Sequence, residues 1–142
     1  MKKIILIIIS ITALLQMSCV ERSGYYTEGE NSIISLICDI TWAAEKTTDD
    51  EGVGYQSVYK FSKNGTYART LIVTNQDGKE QQGSINGQWA FADPSGGIIY
   101  FGSNIYWDIN ELTETKFSGY RRNGEIGEPG MTREYFELTP KK

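Results

Sequence analysis

Two thiols, a few neighbouring carboxylates and a rich aromatic complement are the groups with reactive or binding potential in this 142-residue chain. Histidine is absent. Its absence removes Ser-His-Asp and Cys-His activation of a nucleophile, the imidazole proton shuttle and His-bearing zinc sites. Glu111 with Glu114, or Asp108 with Glu111, are the carboxylate pairs spaced for acid–base work. The chain holds 18 acidic residues, however, so such pairs arise readily by coincidence. Asp49-Asp50-Glu51 lies beside Gly52 without the ligand spacing of a calcium loop, and reads as a solvated connection. There is neither a phosphate-binding glycine loop nor a nucleophile motif. No catalytic residue, metal or cofactor is expected.

Cys38 sits in Leu36-Ile37-Cys38-Asp39-Ile40, an apolar setting in which a free thiol behaves as a small buried hydrophobe. The remaining binding potential is aromatic. Trp42, Tyr55, Tyr59, Phe61, Tyr67, Trp89, Phe91 and Trp107 fall at inward positions of alternating runs. They would line either a cavity for a flat or apolar ligand or a filled core. If a ligand enters, Tyr55, Tyr59, Trp89 and Trp107 are the residues expected to touch it.

The elements that position these rings are strands. Leu36-x-Cys38-x-Ile40-x-Trp42, Tyr55-x-Ser57-x-Tyr59-x-Phe61, Ile85-x-Gly87-x-Trp89-x-Phe91 and Ile105-x-Trp107-x-Ile109 all repeat with period two, the spacing of a strand with one buried side. Asn64-Gly65 joins two such runs as a hairpin, Asp77-Gly78 closes the next connection, and Asn86-Gly87, inside an alternating run, is expected as a bulge and not a turn. Strands are expected near 37–46, 54–62, 66–74, 83–92, 97–102, 104–110, 115–122 and 131–138. Eight short strands without a long amphipathic helix imply an all-β antiparallel sandwich or barrel, with an eight-stranded antiparallel up-and-down barrel the favoured form. Closure would remove sticky edges. Residues 31–36 are expected to form a short helical turn at one end, capped by Asn31 or Ser32. Trp42 should be buried, as the last residue of the first inward face.

The N-terminus carries an address. Met1-Lys2-Lys3 is basic, Ile4 to Leu15 is an almost unbroken apolar run, and Gln16-Met17-Ser18-Cys19 precedes a polar stretch. These are the parts of a secretory signal, and the apolar run is too short to span a ~30 Å hydrocarbon core. A cysteine directly after a small residue here resembles the lipobox of bacterial lipoproteins. That resemblance implies cleavage before Cys19 and acylation of its sulfur and amine. Residues 1–18 are then signal, 19–31 a tether and 32–142 the domain. Losing Lys2 and Lys3 leaves 12 basic against 18 acidic residues, net −6. A chain so charged is a poor partner for nucleic acid or anionic headgroups.

Leu36 through Trp42, Tyr59-x-Phe61-x-x-Asn64-Gly65-Thr66-Tyr67, Gly87-x-Trp89 and Trp107-x-Ile109-x-x-Leu112-Thr113 together resemble the small lipocalin-like lipoproteins of Gram-negative bacteria. The resemblance implies a lipocalin-like barrel whose Trp42 packs under an arginine from a late strand, Arg133 or Arg121. It further implies a protein held by its N-terminal lipid on the outer membrane, since Val20, not Asp, follows the cysteine. Two functions are expected of such a chain. The first is a non-catalytic binding module for a small apolar or aromatic ligand. The other is a protein-interaction lipoprotein, either an inhibitor of a secreted hydrolase or an accessory subunit of an envelope complex.

Overall fold

A computed structural model describes residues 28–142, with side-chain surroundings from Ser32 onward. The expected signal at 1–18 and Cys19 lie outside the described residues, as does the tether as far as residue 27. The described chain opens with a helix, α1 (Glu28–Cys38). Ten strands follow: β1 (Trp42–Ala44), β2 (Thr47–Thr48), β3 (Gly54–Phe61), β4 (Thr66–Thr74), β5 (Glu80–Gln88), β6 (Ala90–Phe91), β7 (Ile98–Tyr100), β8 (Ile105–Leu112), β9 (Phe117–Asn123) and β10 (Arg133–Pro140).

The first expected strand fails because its residues satisfy a helical period better. Ile34, Ile37 and Cys38 are buried at spacings of three and one, the stripe of a helix face, while Leu36 is only partly covered. The helix C-terminus is chemically satisfied. Asp39 N–H closes the last turn on Ser35 O at 2.8 Å. The indole N–H of Trp42 donates to Leu36 O at 3.1 Å, and Lys60 Nζ donates to Cys38 O at 2.6 Å. Both take carbonyls that a helix C-terminus leaves without partners, and Lys60 brings a cation to its negative end. Trp42 therefore starts β1 and does not end a long strand.

All ladders are antiparallel, in the order β5-β4-β3-β1-β10-β9-β8-β7-β6, with β2 pairing β3. The expected closed eight-stranded barrel is not what forms. The two ends of this order, β5 and β6, are consecutive in the chain and joined through Trp89; no ladder pairs them. Trp89 is the cause of the break. Its ring turns into the core, its indole N–H donates to Ser62 O at 3.0 Å, and its backbone N–H donates to Gly65 O at 2.9 Å. Beyond it the chain leaves β4 and pairs with β7, Ala90 opposite Tyr100 and Phe91 opposite Ile99. One expected strand thus becomes two, each with a different neighbour.

Asn64-Gly65 makes the expected hairpin: Gly65 takes φ 88°, where a Cβ is disfavoured, and Asn64 Oδ1 accepts from Thr66 N–H and Oγ1 at 3.1 and 2.7 Å. Asn86-Gly87 makes no bulge, since the β4–β5 register runs unbroken. A Cβ on Gly87 would come within 2.7 Å of the Tyr67 ring, so the glycine makes room for that ring. The bulge lies in β8 instead, between Ile109 and Glu111.

Ser32–Lys142 is one compact unit. Its main core gathers Ile34, Ile37, Cys38, Trp42, Tyr59, Phe61, Trp89, Ile99, Trp107, Phe117, Phe136 and Leu138, on the side of the sheet that α1 covers. Ala43, Val58 and Ile72 form a small second cluster on the opposite face. Trp42 is fully buried and meets the Phe117 ring edge-on at 5.5 Å and 85°. Neither expected arginine lies against it. Arg121 faces inward opposite Trp107, with its guanidinium 5.4 Å from the Trp107 and Phe136 centroids; Arg133 lies on the outer face, 4.2 Å above the Tyr120 ring. The arginine-over-tryptophan contact therefore exists on a different tryptophan, because the helix at 28–38 displaces the first strand. Trp42→Ala should destabilise the domain by about 3–5 kcal/mol, losing both ring packing and the Leu36 hydrogen bond. Thermal unfolding should show a melting temperature lower by more than about 10 °C, and a near-wild-type curve would contradict this packing.

Candidate functional site

Of the four residues expected to hold a ligand, three are buried in one core, Tyr59 on Trp107 directly and Trp89 joined to both through Phe61. Tyr59, Trp89 and Trp107 are 4%, 7% and 4% exposed. Tyr59 and Trp107 meet edge-on at 5.1 Å, and Phe61 lies 5.7 Å from Trp89 and 6.0 Å from Trp107. Such distances are those of aromatic core contacts, with ring on ring where a ligand would have to lie. Tyr55 is apart from them at the solvent end of β3, and its hydroxyl donates to Asp49 Oδ2 at 3.2 Å. That bond and the Asp49 charge push the Tyr55 hydroxyl above its ordinary pKa.

The other sequence candidates have structural partners. Asp49 Oδ1 accepts the N–H groups of Glu51 and Val53 at 3.0 and 2.9 Å, which organises the 49–53 turn. Glu111 pairs with Lys116 at 3.3 Å, and Lys116 also approaches Glu137. The hydrogen bond and charge of Glu111, then the charge of Glu137, hold the Lys116 ammonium above its usual pKa. Cys38 is buried against the core, and desolvation pushes its thiol up to about 11. Among the described residues, no three Asp, Glu, Cys or His groups converge as metal ligands.

A constellation that period-two reasoning passed over lies on the outer face of β7–β10. Inward positions of these strands hold Ile99, Trp107, Phe117 and Phe136, so the alternate positions face away. There, ladder pairing sets Tyr100, Tyr106, Arg122 and Arg133 in one row across the four strands. The next row is Ile98, Asp108, Tyr120 and Tyr135. The rows interlock. Arg122 Nε donates to both oxygens of Asp108, at 3.0 and 2.9 Å, and its Nη1 donates to Gly124 O at 2.6 Å. The Arg122 guanidinium also lies 4.2 Å from the Tyr106 centroid. Arg133 Nη2 approaches Asp108 Oδ2 at 3.5 Å while its guanidinium lies over Tyr120. Tyr100 packs on Tyr106 at 4.8 Å, and Tyr120 on Tyr135 at 5.5 Å. Tyr135 extends the lattice by donating to Glu137 Oε2 at 3.0 Å.

Burial grades across this surface. The Arg122 and Asp108 side chains are 5% and 14% exposed, whereas Arg133 is 47% exposed and Tyr135 as a residue 48%. The centre is a desolvated ion pair held by neighbouring rings; the rim is a free guanidinium edge beside an exposed phenol. Two arginines share one aspartate, which leaves one positive charge in surplus. Desolvation, then the Glu125 charge, pushes the Tyr106 hydroxyl above its ordinary pKa, so it stays a proton donor through the neutral range. Arrays of tyrosine and arginine around a dry centre are what protein-binding surfaces concentrate. The signal was present in the sequence: Tyr106-x-Asp108, Tyr120-x-Arg122 and Arg133-x-Tyr135 carry rings and guanidinium groups where a solvated strand face normally carries Lys, Glu and Thr.

Two expectations follow. Asp108→Asn should cost about 3–5 kcal/mol, since it leaves Arg122 buried without its counter-charge. Arg133→Ala, at the exposed rim, should cost about 1 kcal/mol or less. Denaturant titration of the two variants checks the contrast. For Cys38 the folded pKa of about 11 lies above the ordinary thiol value of 9.0. The folded state therefore holds the thiol proton where the unfolded state releases it. Stability from this group is complete below pH 9 and is lost as pH rises towards 11. Unfolding free energy measured between those pH values should fall less steeply in Cys38→Ala than in wild type.

No family model, no curated protein and no solved structure matches this chain, so what the surface does has to be read from its own geometry.

Proposed function

We propose that this chain is a non-catalytic, lipid-anchored envelope protein that works by binding another protein through the Tyr–Arg face of β8–β10. The observation that carries this reading is the lattice around Asp108, where a buried ion pair pre-orders half-buried Tyr120 and exposed Arg133 and Tyr135. Such pre-ordering lowers the entropy cost of recognition, because the anchoring side chains are already immobilised. The surplus guanidinium charge and the neighbouring phenols suit a partner that presents a carboxylate beside an apolar or aromatic side chain. Ring-on-ring packing of Tyr59, Trp89 and Trp107 around Phe61 favours this protein partner over a small apolar ligand taken inside the sheet. The lipid anchor at Cys19 and the outer-membrane setting belong to the same proposal; the signal-like N-terminus and the lipobox resemblance support them.

The test uses the full-length chain in intact cells of a Gram-negative host. A photo-crosslinking amino acid in place of Tyr135 should give one discrete adduct with another protein. Arg133→Glu should reduce that adduct about tenfold, equivalent to some 1.4 kcal/mol of binding. The same probe at Lys46, exposed between β1 and β2, should give none. Equal yield from Tyr135 in both charge states, or no discrete adduct there, would defeat the reading. In parallel, strong quenching of tryptophan fluorescence by a long-chain fatty acid would return the function to the interior.

A further inference from the structure

The β5 strand ends the sheet and has backbone groups with nothing laddered to them. Asn75 N–H donates to Lys79 O at 2.8 Å before β5, and Trp89 N–H donates to Gly65 O at 2.9 Å after it. Hydrogen bonding alternates residue by residue along an antiparallel ladder. Both ends therefore give the same phase: odd-numbered residues turn their N–H and C=O towards β4. Glu80, Gln82, Ser84, Asn86 and Gln88 turn theirs outward, and among the described residues no strand pairs with that side. Every residue of β5 except Gly87 is exposed. Edges of this kind are normally blunted by Lys, Pro or a bulge. Here residues 81–88 hold no charge and no proline, and the register with β4 is unbroken from Thr74–Glu80 to Thr66–Gln88.

We propose that β5 pairs with β5 of a second copy of this chain, antiparallel about a twofold axis at Ser84. Outward residues must face outward residues, and the register that overlaps the whole strand places Ser84 opposite Ser84 of the partner subunit. Gln82 then faces Asn86 of the partner subunit, and Glu80 faces Gln88 of the partner subunit, so no like charges oppose each other. On one face Ile85, 61% exposed, lies opposite Gly83 of the partner subunit. A side chain at Gly83 would meet nothing within 4 Å, and Gly83 pairs with Leu71, itself 41% exposed. Each Ile85 thereby fills the gap over the other copy's glycine and reaches an exposed leucine. On the opposite face the Ser84 hydroxyl, already 2.8 Å from Thr70 Oγ1, meets its own symmetry mate. This fit of a surface to itself is what an isologous dimer requires, and it singles out a second copy over an unrelated strand.

Ser84→Cys tests the register in the full chain, held in native membranes. The facing Cα atoms of a hydrogen-bonded antiparallel pair lie ~5.5 Å apart, within disulfide range. Mild oxidation should give a covalent dimer that the parent chain, with Cys19 and Cys38 alone, does not give. Gly83→Cys should couple to Ile85→Cys when differently tagged chains are mixed, and little to itself. Ser84→Pro removes an outward N–H and the hydroxyl contact with Thr70, but spares the β4 backbone ladder. It should lower the dimer fraction about tenfold by native mass spectrometry, and Ile85→Lys should do the same. Should the proline variant lose its near-ultraviolet circular dichroism, Ile85→Lys decides alone. A monomeric wild type, a Ser84→Cys chain that cross-links no more than its parent, or a dimer persisting in the folded variants would each overturn the proposal.

Discussion

Phe61 has ring neighbours at 5.7 to 6.5 Å from almost every part of the sheet: Tyr59 on its own strand, Tyr67 on β4, Trp89 at the β5–β6 corner, Phe101 after β7, Trp107 on β8 and Phe117 on β9. Rings so far apart in the chain can share one neighbour only if the sheet curls around it. Much of the fold answers that constraint. Gly87 gives Tyr67 room to lie flat, Trp89 breaks one strand in two so that its ring can turn inward, and α1 covers the remaining opening with Ile34, Ile37 and Cys38. Aromatic pairs add about 0.5–1.5 kcal/mol each beyond area burial. A network of them resists local repacking, because moving one ring disturbs several.

With these rings buried against one another, the surface proposed for recognition lies outside the core. The outer face of β8–β10 is unusual in keeping an ion pair nearly dry. Arg122 is supported by two oxygens of Asp108, the Gly124 carbonyl and the Tyr106 ring, so little of its hydrogen-bonding capacity is stranded. Buried pairs rarely add net stability over apolar residues of similar size. What this one adds is order: Asp108 also attracts Arg133, which fixes the guanidinium over Tyr120 and leaves its edge in solvent.

Much of this was legible in the residues. The β3–β4 hairpin was written in Asn64-Gly65, and the inward rows of β3 and β8 in their period-two rings. Burial of Trp42 and Cys38 also followed from their apolar settings. The first expected strand fails because Leu36, Cys38, Ile40 and Trp42 alternate while Ile34, Ile37 and Cys38 fit a helix turn; two periods overlap in the same few residues. Carbonyl partners far along the chain, Trp42 and Lys60, stabilise the helical choice, and no local pattern contains them. Closure was misjudged for a related reason. Alternation runs smoothly from Ile85 to Phe91, yet the change of partner at Trp89 depends on Gly65 and Ser62, which alternation does not see. The Tyr–Arg face was missed because attention to a strand's inward positions treats its outward ones as solvent.

The break at Trp89 links these features. A strand that changes partner partway cannot be laddered on both sides along its length. The inward turn of one tryptophan completes the ring cluster around Phe61, and the same turn takes the chain from β4 to β7. β5 is left with its outer backbone groups free, while the β7–β10 half of the sheet stays continuous and presents its Tyr–Arg rows as one ordered surface. The two surfaces differ in kind as a result. One offers backbone hydrogen bonds and small, uncharged side chains, which suits pairing with a strand of matching phase. The other offers pre-ordered guanidinium and phenol groups on a rigid ladder, which suits recognition by side chains. Both follow from the way the chain encloses its rings, and neither requires the interior to open.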